Sequence, residues 1–316
     1  MALIRKIGVI GQGHVGAHVA NSLLMQGVAD ELYLADINAQ KLESECQDLT
    51  DSMSFYPHNC RVVNCGEKYE LLAGCDVVVN AAGDVAKAAG DRDGELFVTA
   101  EITRTWPRRL VDAGFGGVIV TISNPCDVVA TEIWHLTGYD PRRIIGSGTA
   151  LDSARLKNAI ARRVSLDQRS ICAYMLGEHG ALQFAPWSCV SFRGMPLDEW
   201  AKTDERFRFD RDALQKESIG GGWVTFAGKF CTEYGIATTA ARMVHIVLHD
   251  EKAIMPASAE LCGEYSESGL FVGVPCLIGK NGVEQVIELP LTDEEKAKFH
   301  ACCEGVRKNM EHLKEI

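Results

Sequence analysis

The sequence has few of the features of secreted, membrane-spanning or nucleic-acid-binding proteins. Acidic residues outnumber basic ones 43 to 32, and the net charge of −11 argues against a nucleic-acid or acidic-membrane partner. No apolar run is long enough to span a bilayer, and the N-terminus lacks the layout of a secretory signal. The twelve cysteines include no C-x-x-C pair and no zinc-ligand spacing. We therefore expect a cytoplasmic protein with reduced thiols and no metal site.

The chain does have a glycine-rich turn directly after its first apolar run, which ends at Ile10 and is typical of a buried parallel strand. Gly11, Gly13 and Gly16 have the G-x-G-x-x-G spacing that lets a pyrophosphate approach the N-terminus of a helix. Asp36 follows Gly16 by 20 residues, where a carboxylate can accept ribose hydroxyl groups and would repel a 2′-phosphate. The pattern predicts NAD binding, and a plain glycine-rich turn is the alternative.

Strand-like and helix-like segments alternate over residues 1–147, which predicts a Rossmann-type, doubly wound parallel sheet that forms an NAD-binding domain. The pattern then becomes looser, and we expect residues 148–316 to form a second, α+β substrate and catalytic domain. Within it, residues 171–176 are predicted to form a strand and residues 220–250 one long helix region.

Three further segments carry local predictions. Residues 95–113 are expected to form one helix despite Pro107, and Thr292 with Glu295 has the capping-box pattern of a helix start. Residues 84–94 are polar and rich in glycine and alanine, which fits either a mobile lid or a solvated loop before the next helix.

His179 is the leading candidate for proton transfer, because it follows a predicted strand and the pKa of histidine lies near neutrality. Asp152 and Arg155 are three residues apart and therefore share one face of a predicted helix. The aspartate could orient the histidine, and the arginine could bind a substrate carboxylate through two parallel hydrogen bonds. The alternative is an intrahelical salt bridge of little energetic worth.

Several stretches together resemble the L-lactate/malate dehydrogenase superfamily over essentially the whole length of the chain. They are GQGHVG, NAAG, GDR, ISNPCDV, IIGSGTALDSARL and LGEHG. Within the superfamily the sequence is most similar to the L-2-hydroxyisocaproate dehydrogenases. The resemblance implies reversible hydride transfer between NAD and a small 2-oxo or 2-hydroxy acid, in a homo-oligomer that is a dimer or a tetramer.

The resemblance also implies roles for individual residues. His179 would be the acid/base, Asp152 its partner and Arg92 the arginine that polarises the ketone. The implied substrate-binding residues are Arg155, Asn124, Ala86, Thr232 and Ile236. The implied cofactor-binding residues are Gly11, Gly13, His14, Val15, Gly16, Asp36, Ala82, Gly83 and Asn124.

Two departures from the family pattern bear on the substrate and the catalytic loop. Ala86 stands where lactate dehydrogenases resemble one another in carrying Gln and malate dehydrogenases in carrying Arg. A small residue there disfavours malate and leaves room for a medium, branched or aromatic side chain, although the neighbouring Lys87 keeps malate open. Ala181 replaces the usual Asp after the GEHG motif.

The main hypothesis is therefore an NAD-dependent L-2-hydroxyacid dehydrogenase. L-lactate dehydrogenase is the first alternative and malate dehydrogenase the second. Two other classes stay open: an NAD-dependent glycoside hydrolase, which would need a metal site near Cys126, and an NAD-binding protein without catalysis.

Overall fold

The fold was obtained as a computed structural model, which describes residues 4–84 and 92–315. The strands are β1 (Lys6–Ile10), β2 (Glu31–Ala35), β3 (Arg61–Gly66), β4 (Val77–Asn80), β5 (Val118–Thr121), β6 (Ile144–Gly146), β7 (Ile171–Cys172), β8 (Ser191–Phe192), β9 (Met195–Pro196), β10 (Ala253–Cys262), β11 (Ser268–Gly279) and β12 (Gly282–Val286). The helices are α1 (His14–Met25), α2 (Ala39–Ser52), α3 (Arg92–Thr103), α4 (Pro107–Asp112), α5 (Cys126–Thr137), α6 (Ala150–Val164), α7 (Leu197–Thr203), α8 (Arg211–Lys229), α9 (Tyr234–His249) and α10 (Asp293–His312).

The main sheet has nine strands in the order β12-β11-β10-β6-β5-β4-β1-β2-β3. Strands β1 to β6 are parallel, and their central members β4 and β5 are buried along their whole length, as expected for strands covered on both faces. The doubly wound parallel sheet and the second α/β part predicted from the sequence are thereby confirmed.

The second half of the chain contributes more to this sheet than the sequence indicated. Its strands β10, β11 and β12 are antiparallel and extend the parallel sheet, with Ser258 of β10 paired to Gly146 of β6. Helix α1 packs against α9, and α6 packs against α8. The second half therefore lies directly against the glycine-rich turn and the strand ends that follow it.

Two helix predictions are wrong in detail. Residues 95–113 form α3 and α4 rather than one helix, because Pro107 lacks an N–H group and begins a new helix. Residues 220–250 are divided between α8 and α9, because Phe230 ends α8 in the left-handed conformation with φ 64°. The capping box of Thr292 and Glu295 is present at the start of α10, as predicted.

Other predictions are met only in part. The strand expected over residues 171–176 is confined to β7. Most of the segment interpreted as a lid or a loop, residues 84–94, lies outside the described residues. All twelve cysteines are described, and each is a free thiol. No helix in the described ranges is long and apolar enough to cross a membrane.

Candidate active site

The glycine-rich turn between β1 and α1 is shaped by close backbone contacts. Gly11 has φ +86°, and a Cβ added to it would lie 2.7 Å from the backbone of Ala82. A Cβ on Gly16 would lie 1.7 Å from the carbonyl oxygen of Gly11. A Cβ on Gly13, in contrast, would meet nothing within 4 Å. The turn is therefore closely packed at Gly11 and Gly16 and open at Gly13. There His14 begins α1, and the first N–H groups of that helix are available to an anion.

Asp36 is held beside this turn. One carboxylate oxygen accepts the backbone N–H of Gln12 and the other accepts the backbone N–H of Asn38 at 2.7 Å. A carboxylate retains further lone pairs after two such bonds, so Asp36 can still accept ribose hydroxyl groups. Val15 packs against the main hydrophobic core and anchors the first turn of α1. These residues fit the adenosine and pyrophosphate parts of a dinucleotide.

The backbone of Ala82, which follows β4 beside Gly83, is held by hydrogen bonds to two polar side chains that the sequence analysis did not identify as site residues. The buried Asn80 accepts the N–H of Ala82 at 3.2 Å and donates to the hydroxyl group of Thr121 at 3.1 Å. Ser123 donates to the carbonyl oxygen of Ala82 at 2.7 Å. Polar residues at the ends of two buried strands were the available signal, because parallel strands end where ligands bind.

The acid/base candidates come together in the second half of the chain. Asp152 lies in the first turn of α6. One of its carboxylate oxygens is 2.6 Å from Nδ1 of His179, and the other accepts a hydrogen bond from Nη1 of Arg155 at 2.8 Å. The side chain of Asp152 is 2% exposed, and that of His179 is 27% exposed. The Asp152–Arg155 pair is therefore part of a buried three-residue group rather than an isolated surface salt bridge. Because Nδ1 of His179 faces Asp152, Nε2 is the nitrogen left to exchange a proton.

The pKa values in this group reflect burial and opposite charge. Burial alone raises the pKa of Asp152, but His179 and Arg155 outweigh it and hold the pKa below its usual value. Burial alone lowers the pKa of the His179 imidazole, but the charge and hydrogen bond of Asp152 outweigh it, with a further contribution from Asp127. The imidazole of His179 therefore holds its proton more tightly than an ordinary histidine.

The loop that carries His179 is braced by the C-terminal helix α10. Gly177 has φ +95°, and a Cβ there would lie 2.3 Å from Sγ of Cys302. Asn309 donates to the carboxylate of Glu178 at 3.1 Å. These contacts hold the loop against α10.

The remaining predicted site residues lie on other elements or outside the described residues. Asn124 is exposed after β5, in a cis peptide bond to Pro125. Thr232 is half-buried in the break between α8 and α9, and Ile236 is half-buried on α9. Ala86 lies outside the described residues, as does the side chain of Arg92, whose backbone begins α3.

Helix α8 presents two glycines to Arg155, which sequence reasoning did not single out. A Cβ on Gly221 would lie 3.4 Å from Cδ of Arg155, and one on Gly222 would lie 3.5 Å from its guanidinium nitrogens. Three consecutive glycines inside a helix, beginning at Gly220, were the signal that could have found them. The helix face beside the arginine fork therefore has no side chains.

A dinucleotide turn and a histidine–aspartate–arginine group in one molecule are the parts of a nicotinamide-dependent dehydrogenase. Comparison with known proteins agrees with this class. Residues 5–146 match the NAD-binding domain of the lactate/malate dehydrogenases, and residues 149–316 match their alpha/beta C-terminal domain. The chain belongs to the lactate/malate dehydrogenase family.

Individual relatives span nearly the same length. The chain is 40% identical to an L-lactate dehydrogenase of Fusobacterium nucleatum over 313 residues, which cover 98% of each protein. It superimposes on the ligand-bound minor L-lactate dehydrogenase of Enterococcus mundtii with a TM-score of 0.92 at 34% identity, covering 98% of each chain. The Cryptosporidium parvum lactate dehydrogenase complexed with lactic acid and NAD has a TM-score of 0.92 at 27% identity, covering 100% of each chain.

The protein is accordingly an NAD-dependent oxidoreductase that acts on the CH–OH group of hydroxy acids. The sequence predictions of NAD and of this reaction class are confirmed. The glycoside hydrolase and the non-catalytic alternatives are wrong. Cys126 is buried between the carbonyl oxygen of Thr121 and the hydroxyl group of Ser147, and the described ranges contain no group of three or more His, Cys, Asp or Glu that could hold a metal ion.

Proposed function

We propose that this enzyme reduces 2-oxo acids with medium, branched or aromatic side chains to L-2-hydroxy acids, as L-2-hydroxyisocaproate dehydrogenases do. The single observation that carries the proposal is that the face of α8 beside Arg155 consists of Gly221 and Gly222 and therefore has no side chains. Arginine binds a carboxylate through two parallel hydrogen bonds, which places the substrate side chain within a few bonds of that face.

The proposed mechanism gives each residue of the site one task. Arg155 binds the substrate carboxylate, and Arg92 polarises the ketone oxygen. His179 holds a proton on Nε2 and delivers it to that oxygen, while Asp152 orients the ring and stabilises its protonated form.

The cofactor would be held by the turn of Gly11, Gly13, His14 and Gly16, by Asp36 at its adenosine end, and by Ala82, Gly83 and Asn124 near the nicotinamide. Bound NADH supplies the hydride for the carbonyl carbon.

The energetics of α8 support a pocket for large side chains. A glycine inside a helix costs roughly 0.5–1 kcal/mol relative to alanine, so two glycines facing Arg155 lower the stability of the helix. Alanine would be tolerated at both positions by the protein alone, since the nearest atoms would be at 3.4–3.5 Å. Space for a substrate, rather than a need of the fold, accounts for the absence of side chains there.

L-lactate dehydrogenase is the second candidate, because several relatives across the whole chain carry that name. Initial rates of NADH oxidation with pyruvate, oxaloacetate, 2-oxoisocaproate, 2-oxohexanoate and phenylpyruvate separate the possibilities. We expect kcat/KM to rise with the size of the side chain. A maximum at pyruvate would identify a lactate dehydrogenase, and a maximum at oxaloacetate would mean that Lys87 or another cation binds a second carboxylate.

The role of α8 is tested by Gly222→Ala, with Gly228→Ala as the matched control. The control lies in the same helix and its Cβ would meet nothing within 4 Å. Both variants are expected to unfold at a slightly higher temperature than the parent protein. Only Gly222→Ala is expected to lower kcat/KM for 2-oxoisocaproate relative to pyruvate, by about tenfold, because one methyl group in a substrate pocket is worth about 1–3 kcal/mol. An unchanged ratio would contradict the pocket assignment.

Three broader predictions accompany this function. We propose that the domains divide between residues 147 and 148, that the chain forms homodimers or homotetramers, and that it works in the cytoplasm. Analytical ultracentrifugation of the purified protein measures the oligomeric state, and cell fractionation measures the location.

A further inference from the structure

Asp127, in the first turn of α5, is a buried carboxylate beside the loop that carries His179. Its residue is 1% exposed. One oxygen accepts the backbone N–H of His179 at 2.8 Å, and the other accepts the hydroxyl group of Ser258 at 2.5 Å. Asp127 therefore ties the backbone of His179 to α5 and to strand β10.

Asp127 differs from Asp152 in its partners. Asp152 forms an ion pair with the guanidinium group of Arg155. Asp127 has only neutral hydrogen-bond donors, and it forms no ion pair with any lysine or arginine among the described residues. Burial raises the pKa of the Asp127 carboxyl above its usual value, and the hydrogen bonds from Ser258 and from the backbone of His179 offset part of this rise. The carboxylate form is therefore favoured when a group nearby becomes positively charged. His179 is that group.

The charged surroundings of His179 can be assigned element by element. Helix α6 contributes Asp152 and Arg155, and helix α5 contributes Asp127. Glu178, on the same loop, is bonded to Asn309 of α10. Cys302 of α10 also faces the loop, and burial raises the pKa of its thiol to about 12, which keeps it neutral.

We propose that Asp127 is a second carboxylate for the catalytic histidine, which positions the backbone of His179 and, together with Asp152, stabilises the protonated imidazole. The proposal rests on the acid/base role of His179 given above. Arg155 offsets the negative charge of Asp152. Of the two carboxylates near His179, Asp127 is therefore the one whose charge no arginine or lysine of the described ranges neutralises. Protonation of His179 then completes a group of two carboxylates and two cations.

Asp127→Asn removes this charge and can keep both contacts. The amide oxygen of asparagine can accept the N–H of His179, and its NH₂ group can donate to Ser258, whose hydroxyl group turns to accept. We expect the pKa of His179 to fall by about one unit, as it does when an opposite charge is lost nearby. The pKa is measured by NMR titration of the His179 ring, which needs no turnover.

The same loss should appear in catalysis. Reduction needs protonated His179, so the alkaline limb of the kcat/KM profile is expected to move to lower pH by the same amount. At a pH above both pKa values the rate would fall about tenfold, and at a pH below both it would stay unchanged. Glu295→Gln is the matched control: it removes another buried negative charge, retains a capping-box residue, and Glu295 is bonded to Ser188 and Thr292 rather than to His179.

Two results would overturn the proposal. The first is an unchanged pKa of His179 in Asp127→Asn, which would leave Asp127 as an anchor of the loop alone. The second comes from NMR titration of the unaltered protein labelled at the aspartate carboxyl carbons. If Asp127 stays protonated while His179 titrates, Asp127 carries no negative charge that could stabilise the protonated imidazole. This second measurement stands even if the variant does not fold. A parent enzyme that turns over no 2-oxo acid would contradict the proposed function while leaving both NMR titrations informative.

Discussion

The dinucleotide turn and the acid/base group of this protein are built from different kinds of groups. The turn consists of backbone: Gly11 and Gly16 are in contact with other backbone atoms, and Gly13 faces open space. The acid/base group consists of buried side chains, with Asp152 bonded to both His179 and Arg155. A site made of backbone is disturbed by added atoms, whereas a site made of buried charges is disturbed by changes of charge. Substitutions should therefore separate binding from chemistry.

The largest separation is expected from His179→Gln. Loss of the proposed acid/base should lower kcat about 10²- to 10⁴-fold, while the affinity for NADH, measured by fluorescence titration, stays unchanged. The exposed His135 at the end of α5 supplies the control His135→Gln, which should alter neither quantity. A loss of NADH affinity as large as the loss of kcat would show that the two regions are not independent.

Within the turn, two glycines should respond in opposite ways. A Cβ on Gly16 would overlap the carbonyl oxygen of Gly11 at 1.7 Å, so Gly16→Ala must displace backbone and should lower the free energy of unfolding by about 1–3 kcal/mol or more. Gly13 has φ −67°, which alanine adopts readily, so Gly13→Ala should leave stability unchanged and weaken NADH binding, because its Cβ occupies the open side.

Thermal unfolding and NADH titration of both variants measure this contrast. Gly13→Ala that binds NADH as tightly as the parent protein would mean that the dinucleotide does not approach the turn at this point. Gly16→Ala that unfolds at the parent temperature would contradict the close packing of the turn.

The same contrast explains how much the sequence could predict. The turn was predictable because its determinants are local: a strand, three glycines at fixed spacing and Asp36 beyond them. Asp152 and His179 are 27 residues apart, so spacing alone left a surface salt bridge open as an alternative. The family pattern, rather than periodicity, indicated that they meet.

Other features depend on contacts between distant segments that no local pattern encodes. Asp127 is close in sequence to no other member of the acid/base group, and it reaches His179 only because α5 and the loop after β7 converge. The pairing of Ser258 with Gly146, which adds β10 to the parallel sheet, depends in the same way on long-range register. Phe230 ends α8 without glycine or proline, the usual markers of a helix end.

The smallest expected effect tests whether the contacts of α10 with the His179 loop are independent of the dinucleotide turn. Thr292→Ala removes the side chain that accepts the N–H of Glu295 at the start of α10, and should lower the free energy of unfolding by about 0.5–2 kcal/mol. Thr50→Ala is the control, because its exposed hydroxyl group only bonds the carbonyl oxygen of Cys46 within α2. Chemical denaturation measures both.

Since α10 contacts the His179 loop through Cys302 and Asn309, fraying of this helix should reach that loop and leave NADH affinity unchanged. If Thr292→Ala weakened NADH binding instead, the stability of the turn would depend on the second half of the chain, and the two regions would form one cooperative unit.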